Sequence, residues 1–141
     1  MCQARTQDEI EAALRLRYAV FCEEQGVTPE ADQDGRDPMA VHLVATEEGR
    51  LVGTCRLLMG PGPGVAHLGR MVVSADRRGH GVGSALLGEA DRVARGAGAR
   101  AIRLNAQIRS RSVYDRAGYL AEGEVFLEEG IEHVAMEKRL A

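Results

Sequence analysis

The sequence predicts an α/β (α+β) fold, a mixed and mostly antiparallel sheet with a central βαβ crossover and flanking helices. Three observations carry this reading. Short apolar segments are joined by tight turns, Glu47-Glu48-Gly49-Arg50 and Glu128-Glu129-Gly130, which mark antiparallel hairpins. A helical stripe of Leu86, Ala90, Val93 and Ala97 lies between two strand-like segments, Val65 to Val73 and Ala101 to Ala106, and a crossover of that kind leaves its two strands parallel. The 141 residues, 45% hydrophobic and 28% charged, show no internal repeat and no second composition regime, so one domain over 1–141 is expected.

The elements follow in order. Thr6-Gln7-Asp8-Glu9 has the form of a capping box, and Ile10, Leu14, Tyr18 and Phe21 recur behind it at helical spacing. A helix from about Asp8 to Cys22 is expected. From Gln25 to Met39 the chain carries Gly26, Pro29, Gly35 and Pro38 together with Glu30, Asp32, Asp34 and Asp37. This reads as a loop, and ordered loops of such length usually bind something. Val41 to Thr46 and Leu51 to Met59 pair as a hairpin, Gly60 to Gly64 connect, and Val65 to Val73 adds a third strand. A polar, glycine-rich stretch from Ser74 to Gly83 leads into the helix, which Gly96 and Gly98 end. Ala101 to Ala106 alternates Ile102 and Leu104 with Arg103 and Asn105. Ser110 or Ser112 caps a short helix ending at Gly118, and Tyr119 to Leu127 with Ile131 to Leu140 close the sheet.

Charge and cysteine content exclude several classes of function. Eighteen Lys and Arg stand against 21 Asp and Glu, a net charge of −3, which argues against a general nucleic-acid binder. Aromatic residues are 4% with no Trp, too few for a base-stacking platform. No run approaches the roughly 18 apolar residues of a membrane span, and Met1 to Ile10 holds no apolar signal-peptide core. Cys2, Cys22 and Cys55 form neither a disulfide framework nor a metal-ligand set, so a reducing, cytoplasmic setting without a metal is expected. Cys55, in an apolar stretch, reads as a small buried hydrophobe.

The most informative segment is Arg77-Arg78-Gly79-His80-Gly81-Val82-Gly83-Ser84, between a strand and a helix. Glycines let the backbone turn tightly and let a ligand approach its N–H groups. Those groups are unpaired at a helix start, where the helix dipole adds positive potential. A phosphate or pyrophosphate fits such a place. The segment lacks the Lys of the nucleotide P-loop, and Ser84 or Leu86 stands where the dinucleotide fingerprint needs its last glycine. What it carries is R-x-x-G-x-G, read as Arg78, Gly81 and Gly83.

That pattern resembles the pyrophosphate-binding signature of the GNAT superfamily of acetyl-CoA-dependent N-acetyltransferases. The likeness covers nearly the whole chain. Leu68-Gly69-Arg70-Met71-Val72-Val73 is similar to the strand before the loop in that family, and Tyr114-Asp115-Arg116-Ala117-Gly118-Tyr119 resembles its Y-x-x-x-G-[FY] segment. Arg17-Tyr18-Ala19-Val20-Phe21, Glu24-Gln25-Gly26, Asp34-Gly35 and Val41-His42-Leu43 resemble the ElaA-like branch. Leu104-Asn105-Ala106-Gln107 and Gly130-Ile131-Glu132-His133 continue that likeness.

The resemblance implies a GNAT-type fold and transfer of an acetyl group from acetyl-CoA, as cosubstrate, to a primary amine of a small molecule or peptide by direct attack in a ternary complex. It implies that Met71, Val72 and Val73 lie along the cofactor, with the Met71 N–H as oxyanion donor. Arg78, Gly79, His80, Gly81, Val82, Gly83 and Ser84 would hold the pyrophosphate. Tyr114 would protonate the leaving thiolate, and Asn105 at its strand end would hold a water or a cofactor amide, or meet solvent. Glu24, His42 and His133 are the candidate bases, expected to converge beside the acetyl group, with Cys22 lining the same pocket. His67 and His80 read as non-catalytic. The acidic residues of the Gln25-to-Met39 loop would draw a cationic amine. A homodimer is compatible with the reading, and nucleic acid and membrane are not expected partners. A domain that keeps the fold only to bind acyl-CoA, or to regulate, is the alternative.

Overall fold

Thr6 opens the first helix as its sequence requires. The Glu9 N–H donates to Thr6 Oγ1 at 3.1 Å and the Thr6 N–H donates to Glu9 Oε1 at 3.2 Å. The structure, a computed structural model, describes residues 2–4, 6–60 and 64–140. Helix α1 spans Gln7–Arg17 and then changes pitch, because Tyr18–Glu24 is π-helical. The N–H of Gln25 reaches back five residues to the Val20 carbonyl at 3.0 Å. The α-helix expected as far as Cys22 therefore ends early, in a local geometry that recurs at functional sites. The long loop beyond it holds a single turn of helix, α2 (Pro29–Asp32), capped by Thr28.

The strands are β1 (Cys2–Gln3), β2 (Val41–Glu47), β3 (Arg50–Met59), β4 (Val65–Val73), β5 (Ala101–Gln107), β6 (Leu120–Glu128) and β7 (Ile131–Arg139). They form one seven-stranded sheet in the order β1-β2-β3-β4-β5-β7-β6. Every pairing is antiparallel except β4 with β5. The two-residue β1 is too short to leave a periodic signal in the sequence. Both hairpin turns have positive φ at their central residues, 50° and 78° at Glu48-Gly49 and 51° and 74° at Glu129-Gly130, the mirror-image turn that matches strand twist. Positions 61–63 of the expected connector lie outside the described residues.

The sheet separates two apolar layers. Helix α3 (Val82–Gly96) buries Leu86, Leu87, Ala90 and Ala94 on one face against Leu43, Leu57, Leu68, Ile102 and Leu104. On the other face α1 packs Ala13 against Val44. Leu43 and Val44 are neighbours, so the period-two alternation of β2 sends each to a different layer. Gly53 on β3 sits directly beneath the start of α3. A Cβ added there would lie 2.7 Å from Val82 Cγ1 and 3.1 Å from Leu86 Cδ1. Helix α4 (Arg111–Arg116) follows β5; Ser110 stands at its cap position, but its side chain makes no capping bond. Among the described residues no helix is long and apolar enough to cross a membrane.

Two irregularities open the sheet. Strands β4 and β5 pair over three registers only, Val65 with Ala101, Ala66 with Ile102 and His67 with Arg103. Beyond His67 the two strands diverge. In β4, Cys55 of β3 faces two residues, Arg70 and Met71, because the register steps from Arg56↔Gly69 to Thr54↔Val72. This is a β-bulge, and Arg70 takes up its left-handed backbone at φ 54°.

Candidate active site

The diverging strands frame a cleft of about 1260 Å³. Its floor is the free edge of β4, from Leu68 to Val73, with no strand bonded on the β5 side. The glycine loop and the start of α3 close one end. Gly81 occupies the helix N-cap with φ 85°, and Gly79 has φ 79°. A Cβ at either position would meet nothing within 4 Å, so the backbone there borders open space. The first bond of α3 runs from the Ala85 N–H to the Gly81 carbonyl at 3.0 Å, which leaves the N–H groups of Val82, Gly83 and Ser84 ahead of it. Arg77 and Arg78 line the same end. Open backbone, unpaired N–H groups and two guanidinium groups together suit a pyrophosphate.

Arg78 is tied on two sides. Its Nε donates to the Val73 carbonyl at 3.1 Å, and its terminal nitrogens donate to Glu24 at 2.8 and 3.0 Å. The bond from Arg78 holds the Glu24 carboxyl below its ordinary range. His80 turns back on the loop, with Nδ1 3.0 Å from the Arg78 carbonyl. Next to Glu24, the Gln25 Oε1 accepts from Gln107 Nε2 at 3.1 Å. Adjacent residues at the end of the first helix thus touch both diverging arms, β4 through Arg78 and β5 through Gln107.

Tyr114 reaches the cleft from α4. It is buried, and its ring meets Tyr119 edge-on with centroids 6.0 Å apart. Burial raises its hydroxyl well above the ordinary phenol range, so the group is a protonated donor at neutral pH. Asn105 and Gln107 project from β5 on the face opposite Leu104 and Ala106, and both line the cleft.

His133, on β7, also lines the cleft. Its Nδ1 lies 2.7 Å from the Ile131 carbonyl, which can only accept, so Nδ1 donates there and Nε2 is turned to the other side. Glu128 Oε2 stands 3.6 Å from Nε2, the Asn105 amide donates to Glu128 Oε1 at 3.4 Å, and the Phe126 ring stacks on the imidazole. Glu128 was not legible as a site residue, since a Glu-Glu-Gly sequence signals a turn and nothing more.

The remaining expectations fare differently. His42 is buried outside the cleft, and its Nε2 donates to the Asp37 carbonyl at 3.0 Å. Of the three candidate bases, Glu24 and His133 line the same cleft, Glu24 at its Arg78 end, and His42 does not line it. Cys22 does not line the cleft, and burial, with Asp32 and Glu30 nearby, raises its thiol. Cys55 is fully buried and its thiol is pushed up to about 12. Three of the four loop acids are not free to draw a cation. Asp32 and Asp37 bind Arg17, Asp34 and Asp37 bind Arg56, and Arg70 contacts Asp32 and Asp34. The signal for this node was an Arg at a core position of each element, Arg17 in line with Ala13 on α1 and Arg56 within the apolar run of β3.

The split mixed sheet, with a glycine-rich loop at one end of the split, is that of an acyltransferase. Residues 5–140 match the acetyltransferase (GNAT) domain, and the chain belongs to that family. A Bacillus subtilis protein named "Uncharacterized N-acetyltransferase YjcF" is 33% identical over 137 residues, 96% of each chain. An acyl-CoA N-acyltransferase from Pseudomonas aeruginosa superposes with a TM-score of 0.83 at 34% identity, covering 95% of this chain and 92% of that one. Escherichia coli ElaA does so with a TM-score of 0.84 at 28% identity, over 96% of this chain and 93% of its own.

Proposed function

We propose that the protein transfers the acetyl group of acetyl-CoA to a primary amine by direct attack within a ternary complex. One observation carries the reading: the anion cradle at Gly79–Ser84, the free edge of β4 and the Tyr114 side chain border one continuous cleft. A pyrophosphate at the cradle sends the pantetheine arm along β4, whose open N–H and C=O groups bind it as an added strand would be bound. The thioester then lies beside the bulge, and the cosubstrate supplies an acyl carbon activated by a thiolate leaving group.

The chain's residues serve the four needs of this chemistry. An alkylammonium is no nucleophile, and Nε2 of His133, the candidate histidine that lines the cleft, takes a proton from it. Glu128 stands where the resulting imidazolium needs a carboxylate. Glu24 is engaged by Arg78, and His42 lies off the cleft, so neither competes for this role. The Met71 N–H, at the bulge on the free edge of β4, serves as the oxyanion donor. As the nitrogen bonds to the acyl carbon and the C–S bond breaks, Tyr114 donates its proton to the departing sulfur. Cysteine chemistry is not needed, in line with the raised thiols of Cys22 and Cys55.

The test is release of free thiol from acetyl-CoA across a panel of amines, with product mass confirming N-acetylation. Turnover in the wild type that is lost in Tyr114→Phe supports the reading. Tight, saturable CoA binding with no amine-dependent release would show a binding domain instead.

A further inference from the structure

Resting on the acetyltransferase reading, we propose that the acceptor is an amine that also bears a carboxylate, held by Arg70 and Arg36. The wall of the cleft formed by β3, β4 and the Gln25-to-Met39 loop carries Arg36, Arg56 and Arg70 together with Asp32 and Asp34. Behind them Arg17 is only 1% exposed and consumes much of the available negative charge, binding Asp32 at 3.0 Å and Asp37 at 2.8 Å. Arg56 takes Asp34 at 2.8 Å. Three arginines, Arg17, Arg56 and Arg70, thus share three aspartates, and the short bonds go to Arg17 and Arg56.

Arg70 is left with the weaker contacts. Its closest bonds run to neutral groups, the Asp32 carbonyl at 3.2 Å and the Ala31 carbonyl at 3.3 Å. Its carboxylate contacts are 3.3 Å to Asp32 and 3.4 Å to Asp34, long for bonds between full charges. Burial and then the Arg56 guanidinium work against its charge. The Arg36 side chain has no partner among the described residues, and the Nε of Arg56, itself 5% exposed, is buried with none. An anion on this wall would gain at Arg70 what the aspartates do not supply.

On the opposite wall Glu128 and Glu129 stand beside His133, with Arg103 and Arg109 also on the lining. A molecule carrying both an amine and a carboxylate is oriented by the two walls, its nitrogen toward His133 and its anion toward Arg70. Arg70 directly precedes Met71, so that orientation also brings the nitrogen's neighbourhood to the bulge. Polycationic amines meet the arginine wall and are disfavoured.

A matched acceptor set tests this: free α-amino acids, the same compounds as carboxamides and as decarboxylated amines, dipeptides, and a diamine, assayed by thiol release with acetyl-CoA saturating. The wild type should favour the carboxylate-bearing members about tenfold or more in kcat/KM. Arg70→Gln should raise KM for those members about 10- to 100-fold, the range of a lost hydrogen bond to a charged group, and leave KM for acetyl-CoA in place. Because Arg70 also braces the loop carbonyls, Arg36→Gln carries the test independently, and its KM effect should likewise be confined to carboxylate-bearing acceptors. Equal use of the neutral analogues, or variants that change all acceptors alike, would overturn the proposal while leaving acetyl transfer standing. Absence of release with every amine, in protein shown by calorimetry to bind CoA, would overturn the acetyltransferase reading and this one with it. A dipeptide preferred over free amino acids would place the carboxylate further from the amine within the same chemistry.

Discussion

Glu24 and Arg78, 54 positions apart in the chain, face each other through two parallel hydrogen bonds of 2.8 and 3.0 Å. One residue belongs to the π-helical end of the first helix and the other to the glycine loop. Gln25, the next residue, holds Gln107 on the far arm of the split. The first helix therefore ends as a strap across the cleft mouth, and its carboxylate stands at the very guanidinium a pyrophosphate would approach.

Removing that carboxylate should change cofactor affinity rather than stability. A half-exposed ion pair contributes only about 0–1 kcal/mol. Its negative charge opposes an incoming polyanion. Glu24→Gln is expected to tighten CoA binding roughly three- to tenfold, more at low ionic strength, where screening is weak. Calorimetric titration at two salt concentrations reads this, and weaker binding in the variant would contradict it.

Gly81 is the backbone test of the cradle. Its left-handed φ costs an ordinary residue about 1–2 kcal/mol, and any side chain there projects into the open space beside the N–H groups. Gly81→Trp should lose CoA binding while the melting transition stays cooperative and falls only modestly. An unchanged dissociation constant would move the pyrophosphate elsewhere.

Tyr114→Phe preserves the ring that packs edge-on against Tyr119 and deletes only the hydroxyl. Turnover should fall about 10²- to 10⁴-fold, with CoA affinity unchanged. With chemistry shown to be rate-limiting, equal turnover would remove Tyr114 from the mechanism.

The pH dependence of rate separates the candidate bases. Loss of a general base flattens the rise of kcat/KM with pH. His133→Ala should abolish that rise, whereas His42→Ala should lower the melting temperature and leave the profile's shape intact. The opposite pattern would exchange their roles.

Acid stability should report the arginine–aspartate node. The Arg56 bond holds the Asp34 carboxyl well below the usual carboxylate range, so the folded protein binds this proton less readily than the unfolded chain does. Its contribution is complete above the ordinary carboxylate pKa of about 4 and is lost as pH falls below that. Melting temperature measured from pH 6 down to about pH 2 should drop more steeply for the wild type than for Asp34→Asn. Parallel curves would mean that the pair adds nothing to the pH dependence.

The glycine loop, the hairpins and the crossover were legible because each rests on local chemistry. A capping box, a Glu-Gly turn and a run of glycines before an amphipathic stretch act within a few residues of themselves. What escaped was set by distance along the chain. Nothing near Arg70 announces a bulge, since the extra residue exists only relative to Cys55 on the neighbouring strand. The loop acids Asp32, Asp34 and Asp37 look solvated until Arg17, Arg56 and Arg70 arrive from three different elements. His42 and His133 cannot be told apart by alternation, because both face the same side of the sheet and only strand order puts one in the cleft.

Gly53 gives the cradle a ruler. The helix that carries Val82, Gly83 and Ser84 rests on a strand position with no side chain, at a separation that one methyl group would violate at 2.7 Å. The height of the proposed anion site above the sheet is therefore written outside the loop itself, in a residue that does not line the cleft. Drift at position 53 would retune phosphate affinity through a shift of a whole helix end, while every residue of the Arg78-to-Ser84 motif stayed the same. Two chains with identical loops need not bind the same cofactor equally well, and the place to look for the difference is the strand underneath.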